Sequence, residues 1–514
     1  MNRKIKMLVS VVLTVILLVG TALPAAEAVS SAEVDLPIVY VKGAGREIYS
    51  ADGALVMPFE IEPEDQIMSR MDDIIKAFAS SIVAGDWSIY CDKMVRIIRK
   101  IYKDAVLDKN GEASDGSYII PSDPPKKKTS NYALSNYIFN YDSRLDPWAV
   151  AESMDAYIDD VLEATGKKKV QLVGRCLGGN YVAAYLTRYG AEKVDACVLY
   201  VPSTMGTVVC SGSFSGSFCF DADVINDYVE TSFTDDGDLG GLIKSVVSIT
   251  HSLSVLNYGT DMVETIYRQI ANQLIPQLLI ESYATMPAYW SMVDDEHFEK
   301  AKNFIFGDKM SQYSGLIEKI DNYHYNVMNC FDTTLLQLQQ EGLKVAVIAK
   351  YNTPLPPIFE NSSSQADGTI ELDKLSFGAT SADIGKTLSR SYLNSLKGTG
   401  AMDYVSSDLI IDASTCVLPD NTWFIKNSDH TDFNSAINKL IYAILGSKKQ
   451  FTVWDSKSYP QFMEYDKTEK KLNPVTKATA SGTSSNEGNN FIDKITFFFE
   501  RIVMFFRSVI GLLG

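Results

Sequence analysis

The chain has 514 residues, 46% hydrophobic and 22% charged, with a formal net charge of -17. That hydrophobic share supports a large buried core. The acidic balance argues against a nucleic-acid partner, because phosphate binding needs a basic surface.

Arg3, Lys4 and Lys6 precede an apolar run from Met7 to Ala22, and Ala26-Glu27-Ala28 offers a small-x-small cleavage site. These are the parts of a secretory signal. Residues 1–28 are therefore read as a signal peptide, with an uncleaved N-terminal anchor as the alternative, and the protein as secreted or held at a membrane surface. Seven cysteines follow: Cys91, Cys176, Cys197, Cys210, Cys219, Cys330 and Cys416. An odd count in an exported chain leaves at least one free thiol. Cys210 and Cys219 flank the glycine- and serine-rich "SGSFSGSF" and are the leading disulfide candidate; seven reduced thiols are the alternative.

"LPIVYVKGAG" (Leu36 to Gly45) reads as an apolar strand ending in glycines. Met68 to Tyr102 carries apolar residues at helical spacing. "YIFNYD" (Tyr137 to Asp142) is a strand. The helix after it opens with Asp146 as N-cap and Pro147 in the first turn. A strand at Val170 to Val173 runs into Gly174-Arg175-Cys176-Leu177-Gly178-Gly179, and a helix follows. "DACVLYVP" (Asp195 to Pro202) is a further strand. Strands alternating with helices predict an α/β fold with a mostly parallel sheet covered on both faces.

Residues 35–202 form the first part of this core. The alternation then stops, and 203–333 reads as an inserted helical cap or lid. Residues 334–450 resume the core, with the strand Leu343 to Tyr351, a loop carrying His430 and an amphipathic final helix. Residues 451–490, ending in "LNPVTKATASGTSSNEGNN", read as a flexible linker. In 491–514, Asp493, Glu500 and Arg507 are seven apart, as are Lys494 and Arg501, so the charges share one narrow stripe of an otherwise apolar helix. That pattern suits a helix lying in a membrane interface. Docking on its own domain or on a partner are the alternatives.

A strand that turns sharply into a helix can present one side chain at the crest of the bend, and here it is Cys176. A thiol nucleophile needs a histidine to take its proton and an acid to orient that histidine. After such an elbow the acid and then the histidine follow in sequence. His251, His297 and His324 fall in or beside the cap, whereas His430 lies beyond the last core strand and is the candidate base. The candidate acid is Asp367 in "QADGTIEL"; Asp403, Asp408 and Asp412 compete with it. Asp429, adjacent to His430, is poorly placed to reach its ring. Backbone N–H groups of Leu177 and of Gly43 or Ala44 are the candidate oxyanion hole. The helix N-terminus favours an anion at Cys176, and Arg175 and His430 add positive charge.

These segments resemble the α/β-hydrolase lipases, over about residues 35 to 445. The nearest pattern is the lecithin–cholesterol acyltransferase-like and bacterial lipase branch, whose Tyr-Asp-Trp-Arg-x-x-Pro is matched by Tyr141-Asp142-Ser143-Arg144-Leu145-Asp146-Pro147. "ATMPAYWSMVDDEHFEKA" (Ala284 to Ala301) is similar to the cap of that group. Two departures stand out. Lys42-Gly43 replaces the His-Gly of the lipases, and cysteine replaces serine. The Gly-x-Cys-x-Gly-Gly elbow also resembles polyhydroxyalkanoate synthases, but a signal peptide argues against an intracellular polymerase. The resemblance implies an acyl hydrolase or acyltransferase for lipid-like or small-molecule esters or thioesters. The alternative is a catalytically weak scaffold that binds lipid or envelope. No metal or organic cofactor is implied, since no His/Cys cluster has ligand spacing.

Overall fold

The computed structural model describes residues 34–43, 46–223, 225–226 and 255–476. The proposed signal peptide, Ala44 and the 491–514 helix lie outside these residues. The central sheet contains β1 (Ile38–Val41), β2 (Tyr137–Phe139), β3 (Val170–Arg175), β4 (Val194–Tyr200), β5 (Lys344–Tyr351), β6 (Thr422–Lys426), β7 (Phe462–Asp466) and β8 (Lys471–Pro474). Their spatial order is β8-β7-β6-β5-β4-β3-β1-β2. Every neighbouring pair is parallel except β7 with β8. A parallel sheet covered on both faces demands apolar side chains on both, and β1 and β3 are buried along their whole length.

Helices α1 (Met71–Ala84) and α2 (Ser88–Tyr102) come before β2, α3 (Pro147–Thr165) joins β2 to β3, and α4 (Leu177–Tyr189) follows β3. The α3 start is set locally: Asp146 accepts a hydrogen bond from the Trp148 N–H, Pro147 occupies the first turn, and Gly166 closes the helix in the left-handed region. Between β4 and β5 the described segments are helical, including α5 (Val208–Ser215), α6 (Val255–Ile280), α7 (Asp295–Phe306), α8 (Ser314–Asn326) and α9 (Phe331–Gln340). The α1–α2 pair leans on this layer. Trp87 Nε1 donates to Gln269 at 2.7 Å, and Arg99 pairs with Glu281 at 2.6 Å. The covering layer is thus drawn from two stretches of chain rather than one. Among the described residues no helix is long and apolar enough to cross a membrane.

Two expectations need correction. Residues 451–476 are not linker: β7 extends the parallel sheet and β8 turns back along it, so "LNP" is a strand. Phe462 stacks on Phe424 at 5.3 Å, and Phe451 on Trp423 at 5.9 Å. Both strands are short and mix apolar with polar residues, so neither registers as a period. Cys210 and Cys219 are not bridged; both are free thiols, Cys210 turned into the core from α5 and Cys219 on the loop beyond it.

The sheet order places the site. From β1 the chain moves outward to β2, then returns to the other side of β1 to lay down β3 and the strands that follow. Open parallel sheets leave a crevice at such a reversal, beyond the carboxyl ends of the two strands. Those ends are Lys42-Gly43 after β1 and Cys176 after β3.

Candidate active site

Cys176 sits between β3 and α4 with φ 53° and ψ −127°, a backbone state costly for a residue with a Cβ. Small neighbours make so tight a bend fit. A Cβ on Gly178 would lie 2.2 Å from the Val41 carbonyl oxygen and 2.7 Å from that of Lys42. One on Gly179 would meet the Pro202 Cβ at 3.2 Å. The helix can therefore start directly against the end of β1. The Cys176 N–H is tied to the Tyr200 carbonyl at 3.1 Å. Leu177 is the first residue of α4. Gly43 approaches from the other side: a Cβ there would lie 3.5 Å from the Cys176 Sγ. Tyr141 hydrogen-bonds the Lys42 carbonyl, fixing the end of β1. The companion candidate Ala44 is outside the described residues.

The loops after β5 and β6 bring in the other two candidates. Asp367 Oδ2 lies 2.6 Å from His430 Nδ1, and the His430 N–H donates to the Asp367 carbonyl at 2.8 Å. Asp367 Oδ1 accepts from the Thr369 and Ile370 N–H groups at 3.0 and 2.8 Å, across a turn in which Gly368 has φ +90°. Both side chains are sealed from solvent. The second ring nitrogen, Nε2, is buried. The ring also feels the charge of Cys176 and a hydrogen bond with it. Burial, the largest single influence, pushes the imidazole down; the Asp367 and Cys176 charges and hydrogen bonds outweigh it and raise it to about 9.

The remaining candidates lie elsewhere. His297 Nδ1 is 2.7 Å from Asp294, and His324 stacks on Phe298 at 3.7 Å. Asp408 pairs with Lys426 at 2.8 Å, Asp412 accepts from the Tyr392 hydroxyl, and Asp403 is exposed. The Asp429 carboxylate accepts from Thr431 and the Asp432 N–H within its own turn.

Sequence reasoning missed what lies beneath that turn. Lys350, fully buried near the end of β5, donates to the carbonyls of Asp429 and Asp432 at 2.6 and 2.5 Å. Arg175 donates to the Thr431 carbonyl at 3.1 Å and lies over the Phe433 ring at 5.2 Å, so the residue before Cys176 braces the histidine turn. Tyr200 hydrogen-bonds the Asp432 carbonyl. The available signal was a lysine in an otherwise apolar run, "VAVIAKY".

Among the described residues no group of three or more His, Cys, Asp or Glu is arranged to hold a metal ion. The family of the alpha/beta hydrolase fold matches residues 121–218, from before β2 through the elbow and α5. No curated protein matches the chain. The match and the mostly parallel eight-stranded sheet make this an α/β-hydrolase fold.

Proposed function

We propose that the protein is an acyl hydrolase or acyltransferase that works through an acyl-cysteine intermediate. The observation that carries this reading is the buried run Asp367–His430–Cys176 at the sheet's switch point, with the sulfur on a strained elbow. A charge-supported imidazolium beside the sulfur suits a thiolate nucleophile. The thiolate attacks the carbonyl carbon of an ester or thioester, forming a C–S bond and a tetrahedral oxyanion. The N–H groups of Leu177 and Gly43 receive that oxyanion. Collapse breaks the bond to the leaving oxygen or sulfur, which takes the proton from His430. Water or an alcohol then gives a proton to His430 and attacks the acyl group, and the sulfur leaves as thiolate. Asp367 holds the imidazole in the tautomer that presents Nε2.

The substrate class rests on the resemblance to lipases, and export and membrane contact rest on residues 1–28 and 491–514. The test is hydrolysis of p-nitrophenyl butyrate by wild type and Cys176→Ala. The variant should lose activity to background; undiminished turnover would remove Cys176 from the chemistry. One observation favours the scaffold reading: Cys176 is 1% exposed. Alkylation by iodoacetamide separates the two. A rate faster than that of a peptide thiol supports the enzyme, and a slower one the scaffold.

A further inference from the structure

We propose that Lys350 is a positioning residue that holds the His430 turn at the height where its imidazole meets the Cys176 sulfur. This rests on the acyl-cysteine reading and extends it to a residue that touches neither substrate nor sulfur. Three adjacent parallel strands end beneath one short turn. β3 contributes Arg175, β4 contributes Tyr200, and β5 contributes Lys350; Arg175 and Tyr200 are paired in register. Their donors take the backbone carbonyls of Thr431, Asp432, and Asp429 with Asp432, respectively. The two cations share one aromatic wall, with Lys350 Nζ 5.0 Å and the Arg175 guanidinium 6.0 Å from the Tyr200 ring centre.

The clamp acts on backbone, so it sets where His430 stands and leaves the ring's partners to Asp367. The turn is closed from above by its own side chains. Asp432 Oδ2 accepts from the Asp429 N–H and from Ser428, while Asp429 Oδ1 accepts from the Thr431 and Asp432 N–H groups. The Asp429 carbonyl also accepts the Asp432 N–H at 3.1 Å, and the Asp432 carbonyl also accepts the Tyr200 hydroxyl, so Lys350 adds a second, cationic donor to each. An ammonium with 0% exposure is an expensive way to supply it. Burial pushes Lys350 down to about 8, so the fold carries a desolvation cost that an apolar residue would avoid. A two-point cationic bond placed there at such a cost is explained by what it positions.

The test compares Lys350→Met with wild type in the full chain. It reads kcat and KM on p-nitrophenyl butyrate and the low-field proton NMR signal of His430 Nδ1–H against Asp367. Misplacement of a reacting group by about 1 Å costs about 100-fold. The expected result is a kcat about 100-fold lower, KM within about threefold, and a broadened or shifted Nδ1–H signal. Lys350→Gln, which can reach one carbonyl, should fall between the two and serves if the methionine variant does not fold. A folded variant with wild-type kcat and an unmoved signal overturns the proposal. The NMR signal needs no turnover. An inactive wild type would therefore refute the acyl-cysteine reading while leaving the clamp to be judged by that signal.

Discussion

Replacing Asp367 by asparagine removes one charge from the site with little change in shape. His430 is raised to about 9 against an ordinary 6.5, even though burial, the largest influence on it, acts downward. Without the carboxylate, the midpoint should fall toward the ordinary 6.5. A full return is a change of about 2.5 pH units, or about 3.4 kcal/mol. The sign in stability follows from linkage. A folded ring that keeps its proton to about 9 contributes fully below the unfolded value near 6.5, and the contribution is lost as pH rises through 9. Urea unfolding at pH 6, 7.5 and 9.5 should therefore show wild type losing about 3.4 kcal/mol relative to Asp367→Asn across that window. Asp367 also raises Lys350, so the asparagine variant holds that lysine lower and the two curves diverge further in the same direction. Hydrolysis should fall by up to about 10⁴-fold, the order seen when serine triads lose their acid. Parallel stability curves, or an Asn variant with wild-type turnover, would refute this account of the Asp367–His430 pair.

Gly178→Ala puts a methyl group 2.2 Å from a backbone oxygen that belongs to β1 and has little room to retreat. It should cost about 1–3 kcal/mol by urea unfolding and shift the end of β1 enough to lower kcat; a neutral substitution would contradict the packing at the elbow. Deleting residues 491–514 should release the protein from liposomes in a sedimentation assay, and unchanged partitioning would dismiss the anchor.

Much of the architecture was legible because burial on both faces of a parallel sheet leaves continuous apolar runs. "LPIVYV", "VQLV" and "VLYV" announce β1, β3 and β4. Asp146 and Pro147 mark the start of α3 by capping chemistry that acts within a few residues. The elbow was readable for the same reason, since its glycines answer to steric contacts confined to one bend and the strand beside it. Asp367 and His430 could be paired because topology restricts where an acid and a base can follow the elbow. The clamp was not legible. Arg175, Tyr200 and Lys350 are far apart in sequence and meet only through strand order, and their acceptors are main-chain carbonyls, which carry no residue signature. The β7–β8 hairpin was hidden by short strands and mixed polarity, with pairing rather than periodicity defining them.

The most direct measurement is acid-quenched mass spectrometry of wild type during turnover of a short-chain acyl ester or thioester, followed by peptide mapping. An acyl group should appear on the peptide containing Cys176, and should be absent from Cys176→Ala. Turnover with that peptide unmodified, or an acyl group carried equally by the alanine variant, would contradict the account.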